Sequence, residues 1–501
     1  MAEQLIRAEA VGAGTYTGEG RWLPLENPAT GETYAEVREA DEALVDAVVT
    51  DAATVYRREW RGVEPLERAR LMHRWADVLL EHQEELARIE STDVGHLHRE
   101  SAADVASAAR WLRYFAGLAD KIEGRSVLGP DRLAQVTREP YGVVAGVNSF
   151  NGNLLMFGMK AAPALATGNC FVLKAPELGP LSSFRMAELA VRAGLPRGVV
   201  SVVSGRGEVT GPALVRHPDV GMVVFTGGLR GARSVIRSAA DSAKPLCMEL
   251  GGKNAVILLD DVDLDRVVPH LLHSNFVKCG QSCAAGSRIF VPRRRADELA
   301  GLMAVATRRI RPGDPFSPSS DMGALVSARQ VARVEDLVRR AVDTGATLLA
   351  GGRRADVDDA HAGGHFFEPT VLAGLDDANI AAREEIFGPV VGVLTYDDLD
   401  EVLARANGLS VGLTAQIWGG DLAAVHHLTR GLEAGTVWVN TYRTVHPSAP
   451  YGGYKQSGYG RENGAEVIGT YTRARTTVWH HGTAPLPYTD TAPQAFRAAL
   501  A

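Results

Sequence analysis

A cysteine and a glutamate are the residues of this chain whose types and spacing could do covalent chemistry. Cys283 lies in the small, polar segment Gly280-Gln-Ser-Cys-Ala-Ala-Gly, and Glu249 opens the segment Glu-Leu-Gly-Gly-Lys. The two residues are 283 − 249 = 34 positions apart. A thiolate can attack a carbonyl carbon, and a carboxylate can activate the water that releases the product. A lone cysteine is more often a small buried hydrophobe and a lone glutamate a solvated charge, so the argument depends on both.

The segments around Cys283 are those that must position it. An apolar, helical run begins at Leu264 and reaches Gly280, where the helix is expected to end because glycine has a low helix propensity. The next apolar run, over residues 288–291, predicts a strand. Cys283 is therefore expected in a loop between a helix and a strand, where its thiol is exposed enough to react.

The two motifs together resemble those of a known family. Glu249-Leu-Gly-Gly-Lys, followed by Gly-Gln-x-Cys283-x-Ala-Gly-Ser-Arg, is similar to the paired signature of the NAD(P)-dependent aldehyde dehydrogenase superfamily. Pro450-Tyr-Gly-Gly-Tyr-Lys-Gln-Ser-Gly-Tyr-Gly-Arg-Glu462 resembles the family's C-terminal signature, and the matches extend over nearly the whole chain. The resemblance implies that Cys283 is the nucleophile, that Glu249 activates water, and that an aldehyde is oxidised to its acid.

Length and composition bound the class of protein. A chain of 501 residues is too long for one hydrophobic core, so two or three domains are expected. The charge balance, 53 − 60 = −7, gives no support for nucleic acid or an anionic membrane as a partner. No apolar run reaches the about 18 residues of a membrane span, and the first residues lack a signal-peptide core. The 4 cysteines are not a disulfide framework, so a cytoplasmic location is expected.

Short apolar strands alternate with helical runs in two parts of the chain. The predicted strands cover residues 142–147, 171–173, 199–203 and 222–225 in the first part, and 255–258, 288–291, 347–349, 389–394, 414–418 and 436–439 in the second. This alternation is typical of βαβ units and predicts α/β domains with parallel, doubly wound sheets. Ligands of such sheets bind beyond the carboxyl ends of the strands.

With the resemblance, the expected fold class is two doubly wound, Rossmann-like α/β domains plus a small β oligomerisation arm. The predicted ranges are 1–124 and 142–250 for the NAD-binding domain, 251–456 for the catalytic domain, 125–141 and 470–482 for the arm, and 483–501 for a C-terminal tail. In the family the arm contacts other subunits, so a homodimer or homotetramer is implied.

The predicted pyrophosphate site lacks the ordinary glycine fingerprint, because no Gly-x-Gly-x-x-Gly follows a strand at the right place. Phe225-Thr226-Gly227-Gly228 instead resembles the family's Phe-Thr-Gly-Ser, followed by a helix from about Leu229. Free N–H groups at a helix start can hold a pyrophosphate. Two further positions are singled out by the resemblance: Leu250 joins the cofactor site, and Ala232 departs from the usual second glycine.

Four other residues are assigned to NAD by the resemblance. Lys174 and Glu177, in Leu-Lys-Ala-Pro-Glu after a strand, match the adenosine-ribose clamp. A carboxylate at Glu177 accepts hydrogen bonds from a 2′-hydroxyl and repels a 2′-phosphate, which favours NAD over NADP. The alternative is that Glu177 is only a charge at a helix N-terminus. Glu385 and Phe387 match the residues at the nicotinamide ribose and the nicotinamide ring.

Three residues complete the predicted catalytic set. Counting back from Lys160-Ala-Ala-Pro aligns Asn151 with the family's oxyanion donor, although Asn148 lies close by and a turn asparagine is the ordinary alternative. The backbone N–H of Cys283 is the second implied donor. Lys160 and Glu462 match positions linked to proton relay behind the base.

The resemblance also predicts the walls of a substrate tunnel. Its residues are Phe150, Gly152, Met156, Met159, Val277, Tyr442, Arg443 and Tyr451. Gly152, Met159 and Val277 stand where many relatives have aromatic side chains, so a wider tunnel and a bulky aromatic or long-chain aldehyde are expected. Arg443 could meet a polar or anionic tail, or it could be a solvated loop charge.

Two other functions compete with hydrolytic aldehyde oxidation. A CoA-acylating relative would replace hydrolysis with thiolysis, and such relatives usually lack a base at Glu249. A binding protein could keep the fold without activity, but Cys283, Glu249 and Asn151 are all present. No metal is predicted, because His96 and His98 have no third ligand in view.

Overall fold

Apolar strands and amphipathic helices alternate along the chain as the sequence predicts. The computed structural model describes residues 5–481, so the predicted tail over 483–501 lies outside the described residues. The strands are β1 Ile6–Ala8, β2 Trp22–Asn27, β3 Glu32–Arg38, β4 Arg125–Leu128, β5 Arg132–Pro140, β6 Val143–Val147, β7 Cys170–Lys174, β8 Val200–Val203, β9 Val220–Thr226, β10 Leu246–Glu249, β11 Ala255–Leu258, β12 Arg288–Pro292, β13 Thr347–Ala350, β14 Thr370–Ala373, β15 Val390–Tyr396, β16 Val411–Gly412, β17 Thr414–Trp418, β18 Thr436–Val439, β19 Tyr454–Lys455, β20 Gly458–Tyr459 and β21 Thr472–His480.

The helices fill the connections between these strands. They are α1 Glu42–Val55, α2 Pro65–Glu81, α3 Gln83–Val94, α4 His98–Ala116, α5 Asn153–Ala166, α6 Leu181–Arg192, α7 Thr210–Arg216, α8 Leu229–Ala240, α9 Leu264–Phe276, α10 Ala296–Thr307, α11 Ala328–Asp343, α12 Ile380–Arg383, α13 Leu399–Asn407, α14 Leu422–Gly431 and α15 Val467–Thr470. A π-helical turn at Tyr56–Trp60 extends α1, and a 3₁₀ turn at Phe150–Gly152 precedes α5.

The first large sheet has the strand order β20-β10-β9-β6-β7-β8. Its strands are parallel except β20, which pairs antiparallel with β10. The β10 pairings place Glu249 beside Thr226 on one side and beside Gly458 on the other. Helices cover both faces of the sheet, since one buried cluster contains residues of α2, α4 and α5 and another contains residues of α1, α7 and α8. The sheet therefore delivers Glu249 and Thr226 to one edge, at its carboxyl ends.

The second large sheet has the order β13-β14-β15-β12-β11-β17-β18. All its pairs are parallel except β13 with β14. The sequence indicates the strand at 347–349 but not β14, and it does not indicate that β13 runs against its neighbour. A strand at the edge of a parallel sheet can reverse in this way because it has only one partner.

A small antiparallel sheet has the order β21-β5-β4. Thr472 of β21 pairs with Pro140 of β5, and the register continues to the opposite ends of both strands. Its exposed residues include large apolar side chains: Leu128 is 81% exposed and Trp479 is 58% exposed. This sheet contains the two segments that the sequence assigns to the arm.

Three further features bear on function. No helix within residues 5–481 is long and apolar enough to cross a membrane. The same residues contain no cluster of three or more His, Cys, Asp and Glu side chains suited to a metal ion. All four cysteines are free, and only Cys283 among them is not fully buried.

Candidate active site

The chain before Cys283 has an uncommon backbone. Lys278, Cys279 and Gly280 lie in the left-handed region, with φ of 54°, 57° and 68°. This region is unfavourable for residues with a side chain. A Cβ on Gly280 would stand 2.2 Å from the carbonyl oxygen of Gly388, so only glycine fits there. The run ends the helical segment begun by α9 and directs the following loop toward a cavity.

Hydrogen bonds fix the loop that carries Cys283. The Asn254 side-chain amide donates to the carbonyl oxygens of Cys283, at 2.7 Å, and Ala285, at 2.8 Å. Burial and then the charge of Glu385 raise the pKa of Cys283 to about 11, whereas Arg443 lowers it. The thiol is therefore held in place, and its ionisation depends on the charges that face it.

A cavity of about 250 Å³ contains Cys283 and most of the predicted catalytic and tunnel residues. The predicted residues in its lining are Asn151, Gly152, Met156, Met159, Thr226, Glu249, Leu250, Cys283, Arg443, Tyr451 and Glu462. Sequence reasoning did not assign the others to the site: Asp104, Ser107, Trp111, Leu155, Lys278, Ser282, Ala284 and Val445. The sequence contains one indication that Asp104 has a special role. It lies on the apolar face of α4, where burying a carboxylate without a cationic partner costs free energy.

Lys278 supplies the partner for Asp104, and the two are buried as an ion pair. The Lys278 ammonium also donates to the carbonyl oxygen of Asn151 at 3.2 Å. A Cβ on Gly152 would lie 3.6 Å from that ammonium, so this cavity wall is charged and not purely apolar.

Three predicted tunnel residues lie outside this lining. Phe150 packs edge-on against Phe387, with ring centroids 5.8 Å apart. Val277 lines a neighbouring cavity. The Tyr442 hydroxyl is 2.9 Å from His273 Nδ1 on α9. Phe150, Val277 and Tyr442 are thus absent from the lining of the Cys283 cavity, and their place in a substrate tunnel stays a prediction.

Glu249 ends β10 as a buried carboxylate without a partner. Its side chain is only 3% exposed, and neither oxygen has a hydrogen bond among the described residues. Burial and then the charge of Glu462 raise its pKa well above the usual range, and Lys160 opposes this. A carboxylate that binds a proton this readily, and that lines the Cys283 cavity, has the properties of a general base.

Lys160 on α5 is fully buried behind Glu249. Its ammonium lies 2.7 Å from Glu462 Oε1 and 2.7 Å from Thr226 Oγ1. Glu462 and Thr226 both line the cavity, so the three residues form a polar chain from the core to the site.

Hydrogen bonds distinguish the two asparagines that are candidates for the oxyanion donor. The amide nitrogen of Asn148 is within 3.4 Å of both oxygens of Asn153, which is itself bonded to Ser182. Asn151 lies in the 3₁₀ turn before α5, and its side chain forms no hydrogen bond within residues 5–481 while it lines the cavity. Only Asn151 therefore has a free amide facing Cys283.

The segment predicted for pyrophosphate lies at the start of α8. Gly228 is the N-cap residue and provides no side chain, so the first N–H groups of α8 receive no cap. The space where a Cβ of Gly228 would stand is open, whereas the Gly227 N–H donates to the Glu249 carbonyl at 3.1 Å. Ala232 is fully buried beneath β9, so its methyl group faces the core and leaves the helix start free.

The four predicted ribose and nicotinamide residues also lie at strand ends or on nearby loops. Lys174 ends β7, and burial lowers its pKa to about 8, against the opposing charge of Glu177. Glu177 accepts the Gly207 N–H at 3.0 Å and keeps its second oxygen available. Burial raises the pKa of Glu385 to about 7, and Phe387 has a left-handed φ of 58°.

The comparisons with known proteins give the class of the molecule. The model of the aldehyde dehydrogenase family matches residues 16–477. The chain therefore belongs to the aldehyde dehydrogenase family, and the fold class expected from the sequence is confirmed by its solved neighbours.

Individual relatives are similar over nearly their whole length. A betaine aldehyde dehydrogenase of Brucella melitensis is 38% identical over 470 residues, which cover 94% of this chain and 96% of the relative. PnpE from Pseudomonas sp. WBC-3 is 36% identical with a TM-score of 0.93, covering 97% of this chain and 100% of its own. An aldehyde dehydrogenase from Bacillus cereus, solved as an NAD⁺ complex, is 36% identical with a TM-score of 0.92, covering 96% of this chain and 97% of its own.

Proposed function

We propose that this protein oxidises an aldehyde to its carboxylic acid, with NAD, through a covalent intermediate on Cys283 that Glu249 helps to hydrolyse. The observation that carries the proposal is the single cavity that holds Cys283, the free amide of Asn151 and the unpartnered carboxylate of Glu249. A nucleophile, an oxyanion donor and a base facing one space are the parts that acyl transfer to water needs.

The residues act in sequence. The Cys283 thiolate attacks the aldehyde carbon, and the Asn151 amide and the Cys283 N–H donate to the oxygen as it gains charge. When bound, NAD supplies the hydride acceptor that converts the thiohemiacetal to a thioester. Glu249 then takes a proton from water, which attacks the thioester and releases the acid. Lys160 and Glu462 are the proposed relay behind Glu249: Lys160 stabilises its charged form, and the charge of Glu462 favours its protonated form.

The cofactor part of the proposal is supported by the uncapped start of α8 and by the solved Bacillus cereus neighbour, whose structure is an NAD⁺ complex. Backbone N–H groups and a helix dipole favour a pyrophosphate there. Lys174, Glu177, Glu385 and Phe387 would hold the riboses and the nicotinamide. Glu177 makes NAD the preferred form, since a 2′-phosphate would meet its charge.

The proposed aldehyde is bulky, aromatic or long-chained. The absence of a side chain at Gly152 and the flexible thioethers of Met156 and Met159 leave room beside Cys283. The relatives in Brucella act on betaine aldehyde, whose quaternary ammonium is a cation. The guanidinium of Arg443 in the same lining disfavours that substrate here.

One experiment separates the competing functions. NADH formation should be measured over a panel of aldehydes, with and without coenzyme A. The proposal expects NADH and free acid without coenzyme A. Turnover that requires coenzyme A would identify an acylating enzyme, and no turnover with any aldehyde would favour a binding protein.

The assembly and location are proposed with the function. The β4–β5–β21 sheet is expected to join subunits into a dimer or tetramer, because its exposed Leu128 and Trp479 would otherwise remain in water. Sedimentation of the purified protein tests this.

A cytoplasmic location fits four cysteines that are all free. The division into domains at residues 125, 142 and 251 is proposed as well; the two large sheets and the β4–β5–β21 sheet support it, although β20, beyond residue 456, joins the first large sheet.

A further inference from the structure

A second cavity of about 770 Å³ adjoins the one at Cys283. The two share Asp104, Lys278 and Arg443, which therefore lie between them. The far side of the second cavity carries the exposed residues Arg99 and Arg309. Arg443 therefore borders both the second cavity and the cavity that contains the Cys283 thiol.

The acidic residues of this second cavity are already paired or bonded. Asp104 is bound to Lys278, and Asp321 lies 3.2 Å from Arg311. Glu100 accepts the backbone N–H groups of Leu97 at 3.1 Å and of Lys278 at 2.9 Å. Asp104 and Asp321 are therefore already paired with cations, whereas Glu100 is held by backbone N–H groups alone.

The arginines of the second cavity, by contrast, are not paired with carboxylates among the described residues. Arg99 donates to the carbonyl oxygen of Ser320 at 2.8 Å, and Arg443 donates to Ser282 Oγ at 2.5 Å. Within residues 5–481, Arg99, Arg309 and Arg443 form no ion pair with a carboxylate. The second cavity therefore has four cationic side chains, Arg99, Lys278, Arg309 and Arg443, against the three carboxylates Glu100, Asp104 and Asp321. This small excess of positive charge favours anions over cations.

We propose that Arg443 binds an anionic group of the substrate, so that the aldehyde this enzyme takes carries a carboxylate at the end away from its carbonyl. The inference rests on the proposed function. Ser282 adjoins the nucleophile and bonds Arg443, which fixes the guanidinium relative to Cys283. Arg443 also has a left-handed φ of 51°, a costly conformation in a residue with a side chain. A guanidinium held in this way matches the two oxygens of a carboxylate.

The test uses aldehydes that differ in charge but little in shape. These are 4-formylbenzoate against 4-methylbenzaldehyde, succinic semialdehyde against butanal, and betaine aldehyde as the cation. In the wild type, kcat/KM should be at least about 10-fold higher for each anion than for its neutral partner. Arg443→Met should reduce that ratio by at least about 10-fold and raise the relative rate with betaine aldehyde.

Two controls make the result specific. Arg309→Met removes a cation from the outer cavity only, so it should change the ratio by less than about 3-fold. Inhibition by 4-methylbenzoate, which cannot acylate Cys283, should weaken in Arg443→Met by the same factor as the anion preference.

The outcomes separate this inference from the proposed function. If Arg443→Met slows charged and neutral aldehydes equally, Arg443 acts on the Cys283 thiol and the inference is overturned. Equal wild-type rates for each pair would also overturn it, while leaving aldehyde oxidation intact. A wild type that forms no NADH with any aldehyde contradicts the proposed function itself.

Discussion

Glu462 bonds the buried ammonium of Lys160 at 2.7 Å, and its charge raises the pKa of the neighbouring Glu249. The two carboxylates are both buried, but only Glu462 has a cation within bonding distance. Like charges in a dry site cannot both ionise easily. Glu249, which has no such cation, is therefore the carboxyl group of the two that readily accepts a proton.

Lys160→Met should move the activity profile to higher pH. The lysine lowers the pKa of Glu249, so its removal raises that pKa further, and hydrolysis will need more alkaline conditions. The variant should also lose roughly 3–5 kcal/mol of stability, since Glu462 is left buried and unpaired. The pH dependence of kcat and a denaturant titration measure the two effects. Lys121→Met breaks the exposed pair with Asp120 and should change neither by a measurable amount.

Cys283→Ser should abolish NADH formation and retain NAD binding, because a serine hydroxyl at this site is a much weaker nucleophile. Cys279→Ser is the matched control. Its thiol is buried and faces the carbonyl oxygen of Ala324 at 3.1 Å, a bond that a hydroxyl can also donate. Turnover and NAD titration measure both variants. Loss of activity in Cys279→Ser alone would show that the wrong cysteine has been assigned.

Glu249→Gln should acylate normally and stall before release. The amide has the same shape but cannot take a proton from water. Stopped-flow absorbance should therefore record a burst of about one NADH per active site, followed by a slow steady state. A variant without the burst would mean that Glu249 is needed already for activation of Cys283.

Glu177→Ser should weaken NAD binding and narrow the preference for NAD over NADP. Serine removes the charge that a 2′-phosphate would meet, and it shortens the reach to a 2′-hydroxyl. Glu208→Ser is a suitable control, because Glu208 is an exposed carboxylate nearby whose one ion pair within residues 5–481 is with Arg206. The ratio of kcat/KM for the two cofactors is the measurement. An unchanged ratio in Glu177→Ser would remove this residue from the ribose site.

Gly152→Phe should reverse the preference for bulky over small aldehydes by filling the cavity. A Cβ at this position meets Met156 Cε at 3.5 Å and Lys278 Nζ at 3.6 Å, so one carbon fits and an aromatic ring must enter the substrate space. Gly152→Ala is the control and should keep the wild-type order. The measurement is the ratio of kcat/KM for a benzaldehyde to that for acetaldehyde. An unchanged ratio in Gly152→Phe would contradict the prediction that Gly152 forms a wall of the substrate tunnel.

The sequence predicted what local spacing encodes. Cys283, Glu249 and Asn151 belong to short motifs, and the cavity contains all three. The Lys278–Asp104 ion pair was not foreseen, since its partners lie 174 residues apart and neither belongs to a motif. Tyr442 was predicted as one of the aromatic residues of the tunnel, and its hydroxyl lies 2.9 Å from His273 Nδ1, a contact that no motif indicates. Side-chain direction in a loop depends on such long-range partners.

The antiparallel strand β20 makes the amino-terminal sheet depend on the end of the polypeptide. Gly458 pairs with Glu249, and these residues are 458 − 249 = 209 positions apart. During translation, one edge of β10 therefore stays unpaired while more than two hundred further residues are synthesised. An unpaired strand edge can form hydrogen bonds with other chains and so promote aggregation. A polypeptide truncated before residue 458 would therefore contain the other five strands of the first large sheet, but β10 and Glu249 would lack the strand that pairs with them.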